Sequence, residues 1–309
     1  MSAFLFPGQG SQAVGMGNEF YNNFEIVKKI FKKADENLNY PLSKMILEGP
    51  ETDLQLTKNT QPAILTVSHS IFSVLKNEFN LNYKSFKFFA GHSLGEYSAL
   101  VCAQAIDFED ALYLLHERGK AMQESVPVGK GSMIAVLGSN IDHIKQLLLK
   151  SEDKKNLCEI ANDNANGQVI LSGDIDGIES FKKILINEKI KFIPLKVSAP
   201  FHCSLMNKAA LDLKKKIDEI SFKTPKFEII SNVTASPQTN PSEIKKLLYQ
   251  QIYSKVRWRE SINIMINNKT EEFIEIGPGK VLTGLCKRIN KEIKVFSINS
   301  IDDIKNSLK

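Results

Sequence analysis

The sequence predicts a mixed α/β protein in which a larger unit with a mostly parallel sheet carries a smaller inserted unit. Short apolar runs typical of buried strands alternate with amphipathic helical patterns in residues 1–128 and 199–309. One of these strands passes directly into a helix through a Gly-x-Ser-x-Gly motif. Between residues 129 and 198 the predicted order changes to β-α-β-β-α-β, which is the order of a ferredoxin-like unit.

Composition places the chain among globular proteins and excludes several other classes. Its 309 residues are 42% hydrophobic and 24% charged, which suits one large domain or two smaller ones. The first residues carry no basic segment and only a short apolar run, so we expect no signal peptide, and no stretch approaches a membrane span. The cysteines are scattered without paired spacing and predict neither disulfides nor a metal site. We therefore expect a cytoplasmic protein with no membrane partner.

The net charge of +5 is mild and is compatible with two interpretations. The many lysines form a solvated surface, or they attract an acidic partner. No basic stripe with interleaved aromatic residues is present in the sequence, so we do not expect a nucleic-acid partner.

The first predicted elements surround a glycine-rich loop. A strand is predicted at residues 4–6, followed by Pro7-Gly8-Gln9-Gly10-Ser11-Gln12. Glycines here would let backbone amides approach a ligand closely, although a plain turn explains the loop equally well. Apolar residues spaced by three and four predict a helix at residues 24–38, and a second helix is expected to start near Pro62 because proline suits a first turn.

The residues around Ser93 predict a nucleophile elbow. An apolar run at residues 88–90 predicts a buried strand, Gly91 and Gly95 leave room for a sharp turn, and a helical pattern follows at once. Such a turn would raise the Ser93 hydroxyl above the sheet and aim the free N–H groups of the new helix at whatever Ser93 attacks. An ordinary glycine-rich loop is the alternative, and the strand and helix on either side favour catalysis.

The next helix is predicted to bury Arg118. Asp107 and the acidic residue three positions later form a variant of the capping box, and Ala111, Leu115, Arg118 and Met122 recur at spacings of four, three and four. A buried guanidinium needs an anion or a cage of carbonyl groups. Either an internal carboxylate pairs with Arg118 as part of the structure, or the substrate supplies the anion.

The inserted unit and the return to the larger unit follow in order. Within residues 129–198, strands are predicted at 133–137, 158–161, 169–171 and 190–197, helices are predicted at 141–148 and 178–185, and 162–167 is predicted to be a turn. After Ser198-Ala199-Pro200-Phe201-His202, helices are predicted at 205–220, 240–253, 262–266 and 281–289, and strands at 227–230, 272–276 and 293–297. Asn240, Pro241 and Glu243 make a well-formed helix start.

A serine nucleophile needs a base, and His202 is the candidate. His202 follows a proline-held loop where the chain crosses between the two units, and a cleft is expected there. The order serine then histidine agrees with elbow enzymes. The side chain of His92 should leave the backbone in a different direction from that of Ser93. The other histidines, which lie in helical patterns and are most simply surface or packing residues, are His69, His116 and His143.

No carboxylate is identified to orient the His202 imidazole. Asp163 and Asp174 lie between Ser93 and His202 in the chain, but both fall in predicted turns of the inserted unit. Either the third member of the triad is not recognisable from the sequence, or a backbone carbonyl takes its place.

Six motifs in this order resemble those of malonyl-CoA:acyl-carrier-protein transacylases, which supply malonyl groups to bacterial fatty acid synthesis. The resemblance runs from Phe4 to about Ile289 and implies an α/β-hydrolase-like domain at residues 1–128 and 199–309 with a ferredoxin-like insertion at 129–198. The motifs are Pro7-Gly8-Gln9-Gly10-Ser11-Gln12, Gly91-His92-Ser93-Leu94-Gly95-Glu96-Tyr97, Arg118-Gly119, Ala161-Asn162, Phe201-His202 and Gly277-Pro278-Gly279-Lys280.

The resemblance implies roles for the reacting groups. Ser93 would be the acylated nucleophile, and His202 would activate first Ser93 and then the thiol of the acceptor. The main-chain carbonyl of Gln251 would orient His202, which would explain the missing carboxylate. The backbone N–H groups of Gln9 and Leu94 would form the oxyanion hole.

The resemblance also implies the substrate contacts and partners. Arg118 would bind the malonyl carboxylate, and the Phe201 ring would crowd a 2-methyl branch. The partners would be malonyl-CoA and an acyl carrier protein, and the reaction would need neither a metal nor a redox cofactor. We expect a monomer.

Two other classes of function fit part of the pattern. A serine esterase or thioesterase would use the Gly-x-Ser-x-Gly motif equally well, but Arg118 on a buried stripe and the missing acidic residue favour transfer of an acid-bearing acyl group. A non-catalytic binding protein on the same scaffold is disfavoured by the presence of both Ser93 and His202.

Overall fold

The computed structural model describes residues 1–79, 81–82, 85–127, 129–151, 155–197 and 199–307. The predicted boundaries of the inserted unit fall at Val128 and Ser198, which lie outside the described residues. The strands are β1 (Ser2–Phe6), β2 (Phe86–Gly91), β3 (Gly131–Leu137), β4 (Cys158–Ala165), β5 (Gln168–Asp174), β6 (Lys191–Pro194), β7 (Glu228–Ile230), β8 (Pro237–Gln238), β9 (Glu272–Ile276) and β10 (Lys294–Ile298).

Helices cover the sheets and connect their strands. None of those in the described part of the chain is long and apolar enough to cross a membrane. They are α1 (Asn18–Asn23), α2 (Glu25–Leu38), α3 (Leu42–Glu48), α4 (Glu51–Leu54), α5 (Thr57–Asn77), α6 (Gly95–Cys102), α7 (Phe108–Glu124), α8 (Ile141–Lys150), α9 (Ile175–Asn187), α10 (Asn207–Glu219), α11 (Pro241–Gln251), α12 (Trp258–Asn267), α13 (Val281–Ile289) and α14 (Ile301–Ser307).

The larger sheet has six strands in the order β10-β9-β1-β2-β7-β8. The pairs β1–β2, β1–β9, β10–β9 and β2–β7 are parallel, whereas β8 joins the edge antiparallel to β7. The predicted mostly parallel sheet is therefore confirmed. Phe6 at the end of β1 pairs with Gly91 at the end of β2, so the loop after β1 and the turn after β2 meet at one edge of the sheet.

Both faces of the larger sheet are buried, as expected for a parallel sheet between helices. Successive residues of a strand point to opposite faces. Phe4 and Phe6 accordingly belong to the main core cluster, in which Phe4 packs edge-on against Phe72 of α5. Leu5 belongs to a second cluster on the other face, together with Trp258 of α12.

The smaller sheet has four strands in the order β4-β5-β3-β6, and its pairings are antiparallel. The predicted turn at residues 162–167 is wrong in extent, because β4 continues to Ala165. This polar segment remains extended because it is paired on both sides. It pairs with β5, and the Asp163 N–H donates to the Val256 carbonyl (2.9 Å) while the Val256 N–H donates to the Ala161 carbonyl (2.8 Å).

The start predicted for the second helix is also wrong. Helix α5 begins at Thr57, and Pro62 lies inside it. Proline has no N–H to donate to the carbonyl four residues earlier, which belongs to Lys58. A ring nitrogen of His116, Nδ1, lies 3.1 Å from that carbonyl oxygen and replaces the missing donor.

One predicted helix cap is confirmed and another is wrong. The Asn240 side chain accepts hydrogen bonds from the N–H groups of Ser242 (2.9 Å) and Glu243 (3.1 Å) at the start of α11. Asp107 stands at the N-cap of α7 but makes no capping hydrogen bond. Its carboxylate instead accepts a hydrogen bond from the Lys223 ammonium (3.1 Å) at the surface.

Candidate active site

Ser93 lies on a sharp turn between β2 and α6. Its φ of 53° is in the left-handed region, which costs a non-glycine residue about 1–3 kcal/mol. A Cβ on Gly91 would overlap the Gly95 carbonyl, and a Cβ on Gly95 would overlap the carbonyl oxygen of Phe6. Both glycines are therefore needed for the close approach of β1, β2 and α6, as the elbow motif predicts.

The loop after β1 lies against this turn. The His92 N–H donates to the Phe6 carbonyl (3.0 Å), which fixes the end of β1 beside the elbow. Gln9 in the loop and Leu94 at the start of α6 line one cleft together with Ser93. The two predicted oxyanion-hole residues therefore lie on the same cleft as the nucleophile.

His202 contacts Ser93 through one ring nitrogen and Gln251 through the other. His202 Nε2 lies 2.8 Å from Ser93 Oγ, and His202 Nδ1 lies 2.8 Å from the Gln251 carbonyl oxygen. A carbonyl oxygen can only accept, so Nδ1 carries the hydrogen and the lone pair of Nε2 faces the serine hydroxyl. This arrangement needs no carboxylate.

The environment of His202 keeps its ring uncharged. The side chain is buried, and burial is the main cause that lowers the pKa of His202 to about 3, followed by the positive charge of Arg118. A neutral imidazole at neutral pH is free to accept a proton from Ser93 Oγ.

Arg118 is 1% exposed and lies beside the nucleophile. Its Nη1 donates to Gln61 Oε1 (2.7 Å), and its Nη2 donates to Gln251 Oε1 (2.9 Å) and Ser93 Oγ (3.0 Å). Among the described ion pairs none involves Arg118. The buried guanidinium is therefore held by neutral oxygen atoms and keeps its positive charge available beside Ser93.

Asn232 holds the elbow from the segment that follows the neighbouring strand β7. Its Oδ1 accepts the Ser93 N–H (2.7 Å), and its Nδ2 donates to the Gly91 carbonyl (2.7 Å). The sequence motifs did not single out Asn232, nor did they single out Gln61, which contacts Arg118. The available signal for Asn232 was its place just after β7, because polar residues at the carboxyl ends of parallel strands line ligand sites.

Strand β4 of the smaller sheet completes the wall of the site. His92 Nε2 lies 2.8 Å from Asn164 Oδ1, so the His92 ring points toward β4 rather than toward Ser93 Oγ, as predicted from its position. The cleft has a volume of about 450 Å³ and is lined by strands of the smaller sheet and by loops and helices that flank the larger sheet. Phe201 is buried in its wall next to His202.

Comparisons with known proteins agree with these motifs. Residues 3–305 match the family described as acyl transferase domain. The chain is 44% identical over 308 residues to the malonyl CoA-acyl carrier protein transacylase of Bacillus subtilis (strain 168), an alignment that covers 99% of this chain and 96% of the relative. The chain belongs to this transacylase family.

Solved structures of members of the transacylase family have the same architecture. The acyl-carrier-protein-S-malonyltransferase from Bartonella henselae superposes with a TM-score of 0.96 at 40% identity, over 99% of this chain and 98% of that one. A malonyl-transacylase in complex with its type II PKS acyl-carrier protein superposes with a TM-score of 0.95 at 36% identity, over 99% of this chain and 98% of that one.

Proposed function

We propose that the chain transfers a malonyl group from malonyl-CoA to the pantetheine thiol of an acyl carrier protein through a malonyl-Ser93 intermediate. The observation that carries the proposal is the buried Arg118 guanidinium, whose Nη2 lies 3.0 Å from Ser93 Oγ and which none of the described ion pairs includes. A carboxylate on the acyl group would supply the missing anion. The names of the relatives and the neighbouring complex with a carrier protein support the substrate and the partner.

In the first half of the reaction, Ser93 takes the malonyl group. His202 Nε2 accepts the Ser93 proton as Oγ bonds to the thioester carbon. The N–H groups of Gln9 and Leu94 stabilise the oxyanion, each worth about 3 kcal/mol in comparable sites. The C–S bond then breaks, and the sulfur of coenzyme A leaves with the proton from His202. The Gln251 carbonyl keeps the His202 ring in the tautomer that both transfers need.

In the second half, the carrier protein's thiol replaces coenzyme A. His202 Nε2 accepts the thiol proton as sulfur bonds to the acyl carbon. The bond between the acyl carbon and Ser93 Oγ then breaks. The proton on His202 returns to Ser93 Oγ. A thioester becomes an ester and then a thioester again, with no change of oxidation state, so we propose that no redox cofactor is required. Because the N–H groups of Gln9 and Leu94 would stabilise the oxyanion, we propose that no metal is required either.

We also propose that Phe201 limits the acyl groups accepted, since its ring lies in the cleft wall beside the base.

For the fold, we propose an α/β-hydrolase-like domain at 1–128 and 199–309 with a ferredoxin-like insertion at 129–198. The strand order β4-β5-β3-β6 of the smaller sheet supports the ferredoxin-like insertion. The cytoplasmic location and monomeric state stay predictions.

The test is intact mass measurement in two steps. After malonyl-CoA is added, we expect one malonyl adduct, which maps to Ser93 on digestion and is missing in Ser93→Ala. After the carrier protein is added, the adduct should move to its thiol. A malonyl mass on another residue would contradict the proposed intermediate. Loss of the adduct to water at the same rate without any thiol would indicate a hydrolase.

A further inference from the structure

Glu96 is a buried carboxyl group at the base of the site with no part in the steps above. It is the second residue of α6 and is 2% exposed. A buried carboxyl is costly unless hydrogen bonds compensate it. Glu96 Oε2 accepts two hydrogen bonds, from the backbone N–H of Asn232 (3.0 Å) and from Gln251 Nε2 (2.7 Å).

These two partners are the residues that hold Ser93 and Arg118. Asn232 accepts the Ser93 N–H. The Gln251 side chain donates to the Ser93 carbonyl (3.0 Å), and its Oε1 accepts from the Arg118 guanidinium. One carboxyl oxygen is therefore connected through two residues to the backbone of the nucleophile on both sides and to the cation beside it.

We propose that Glu96 is a positioning residue that fixes the Ser93 backbone through Asn232 and Gln251 and sets, across the Gln251 amide, how strongly Arg118 attracts an anionic acyl group. The proposal rests on the proposed function and deepens it. The Gln251 amide lies between opposite charges, since its oxygen faces the Arg118 cation and its nitrogen faces the Glu96 carboxyl.

The charge on Glu96 changes near neutral pH. Burial raises the pKa of Glu96 to about 7, while the hydrogen bonds from the Asn232 N–H and the Gln251 side chain, and after them the Arg118 charge, act in the opposite direction. Among the described residues, the charged or titratable side chains that interact with Glu96 are Arg118 from α7 and Tyr97 from its own helix. Helix α11 and the segment after β7 present the neutral Gln251 and Asn232. Ionised Glu96 offsets the Arg118 charge, so attraction for a malonyl carboxylate should weaken as pH rises through 7.

The experiment compares malonyl-CoA with acetyl-CoA, which has no acyl carboxylate. We measure kcat/KM for loading of Ser93 with each thioester at several pH values on both sides of neutrality. In the ratio of the two kcat/KM values, any pH effect that is common to both thioesters cancels. For the native protein the malonyl-to-acetyl ratio should fall by about tenfold as pH rises, which corresponds to coupling of one pKa unit between the charges.

Two substitutions separate the charge of Glu96 from its hydrogen bonds. Glu96→Gln keeps an acceptor oxygen for both partners and removes the charge, so the ratio should become independent of pH while acetyl loading stays within about threefold of native. Glu96→Ala removes the acceptor as well, so both thioesters should load about 100-fold more slowly, the scale expected for a misplaced nucleophile.

Glu275→Gln is the matched control. Glu275 is also buried, and its carboxyl oxygens accept the N–H groups of Leu282 (3.0 Å) and Thr283 (2.7 Å) at the start of α13. This variant should keep the native pH dependence of the ratio.

Distinct results would overturn the inference. It fails if the ratio titrates in Glu96→Gln as it does in the native protein, or if folded Glu96→Ala loads both thioesters at native rates. Where a melting curve shows that Glu96→Ala does not fold, Glu96→Gln decides alone. A native protein that forms no malonyl-Ser93 adduct contradicts the proposed function itself, whereas native loading with unaltered Glu96 variants contradicts only the role of Glu96.

Discussion

Arg118 is the residue whose surroundings distinguish this site most clearly from that of an ordinary serine hydrolase. It donates hydrogen bonds to oxygen atoms of Gln61, Gln251 and Ser93, all of which are neutral. An ion pair would have explained its burial as part of the structure, and none of the described ion pairs provides one. A guanidinium that makes no direct ion pair with a described residue points to a carboxylate of the substrate.

The first prediction concerns Arg118. Arg118→Ala should lose on the order of a thousandfold in malonyl transfer, because removing one partner of a buried ion pair costs about 3–5 kcal/mol. Arg118→Lys should recover only part of this loss, since an ammonium cannot hold a carboxylate by two parallel hydrogen bonds. Slow acetyl transfer should stay constant or rise. The measurement is kcat/KM for both thioesters together with a melting curve; a parallel fall in both, with a much lower Tm, would instead show that Arg118 is structural.

The second prediction concerns His202. His202→Ala should lower transfer by roughly two to four orders of magnitude, the usual range for general base catalysis. An ordinary histidine is protonated below its pKa of 6.5, but the folded-state pKa of His202 is about 3. Acyl loading should therefore show no loss from protonation of this base as pH falls through 6.5. Rapid-quench loading across that range checks this, and an acidic limb with a midpoint near 6.5 that persists with acetyl-CoA would contradict it.

The third prediction concerns acyl selectivity. The ring of Phe201 lies in the cleft wall, and Phe201→Ser would open space next to the base. One methyl group in a pocket is worth about 1–3 kcal/mol, so the preference for malonyl over methylmalonyl should fall by about tenfold or more. Competition between the two thioesters measures this preference. An unchanged ratio would remove Phe201 from the list of selectivity residues.

Site residues within recognisable motifs were predictable from the sequence. Site residues that reach Ser93 only through tertiary packing were not. The periodic stripe of α7 predicts a buried Arg118, and it is buried. Asn232 and Gln61 reach the site from segments that lie far from Ser93 in the chain. Their contacts exist because β7 pairs with β2 and α5 packs against α7, which no local pattern encodes.

At the scale of elements, the contact between α5 and α7 positions Arg118. A Cβ on Gly119 would lie 2.6 Å from the Lys58 Cα and from the Thr57 carbonyl oxygen. These are backbone atoms, so the two helices would have to separate. The absence of a side chain at Gly119 thus lets α7 bring its neighbour Arg118 against Gln61 of α5.

The fourth prediction compares two glycines within helices. Gly119→Ala should lower the free energy of unfolding by about 1–3 kcal/mol, as overpacking does, and should slow malonyl loading. Gly284 in α13 is the control, because a Cβ there meets no atom within 4 Å. Gly284→Ala should therefore raise stability by about 0.5–1 kcal/mol through helix propensity alone. Denaturant unfolding measures both, and equal changes in the two variants would contradict the packing argument.

Helices were predicted correctly where the apolar spacing of three and four residues extends over several helical turns. The stripes of α2, α7 and α10 are long, whereas α1, α3, α4 and α14 are too short for a pattern to develop and were not predicted. The helix start predicted near Pro62 was wrong because a ring nitrogen of His116 from α7 makes the hydrogen bond that Pro62 cannot donate. A tertiary contact of that kind carries no local signal in the sequence.

For the whole molecule, the important connection is the one that holds the smaller sheet beside Ser93. Side chains alternate along β4, so Asn162 and Asn164 line the cleft while Asp163 points away from it. Asp163 accepts hydrogen bonds from the Arg259 guanidinium of α12, at 3.0 Å and 2.9 Å. This ion pair fastens the wall of the cleft to the helices of the larger sheet.

The fifth prediction tests that connection. Asp163→Asn should lower the free energy of unfolding by about 2 kcal/mol, less than for a fully buried pair because solvent reaches Arg259. Malonyl transfer per folded molecule should stay close to native, since Asp163 faces away from Ser93. Asp142→Asn, which breaks an exposed pair with Lys145, is the control and should leave the melting temperature unchanged. Loss of transfer in Asp163→Asn without loss of stability would contradict this assignment.

The cleft also bears on the direction of the proposed malonyl transfer. Coenzyme A and the carrier protein present the same pantetheine arm to Ser93, so the donor and the acceptor occupy one space in turn. In the proposed reaction the two exchanges together replace a thioester by a chemically similar thioester, so the overall equilibrium should lie close to unity. The proposed transfer would then run in either direction, between malonyl-CoA and the malonyl-carrier protein. Free coenzyme A would compete with the carrier protein for the malonyl group on Ser93, and the net direction would depend on the reactions that consume the malonyl-carrier protein.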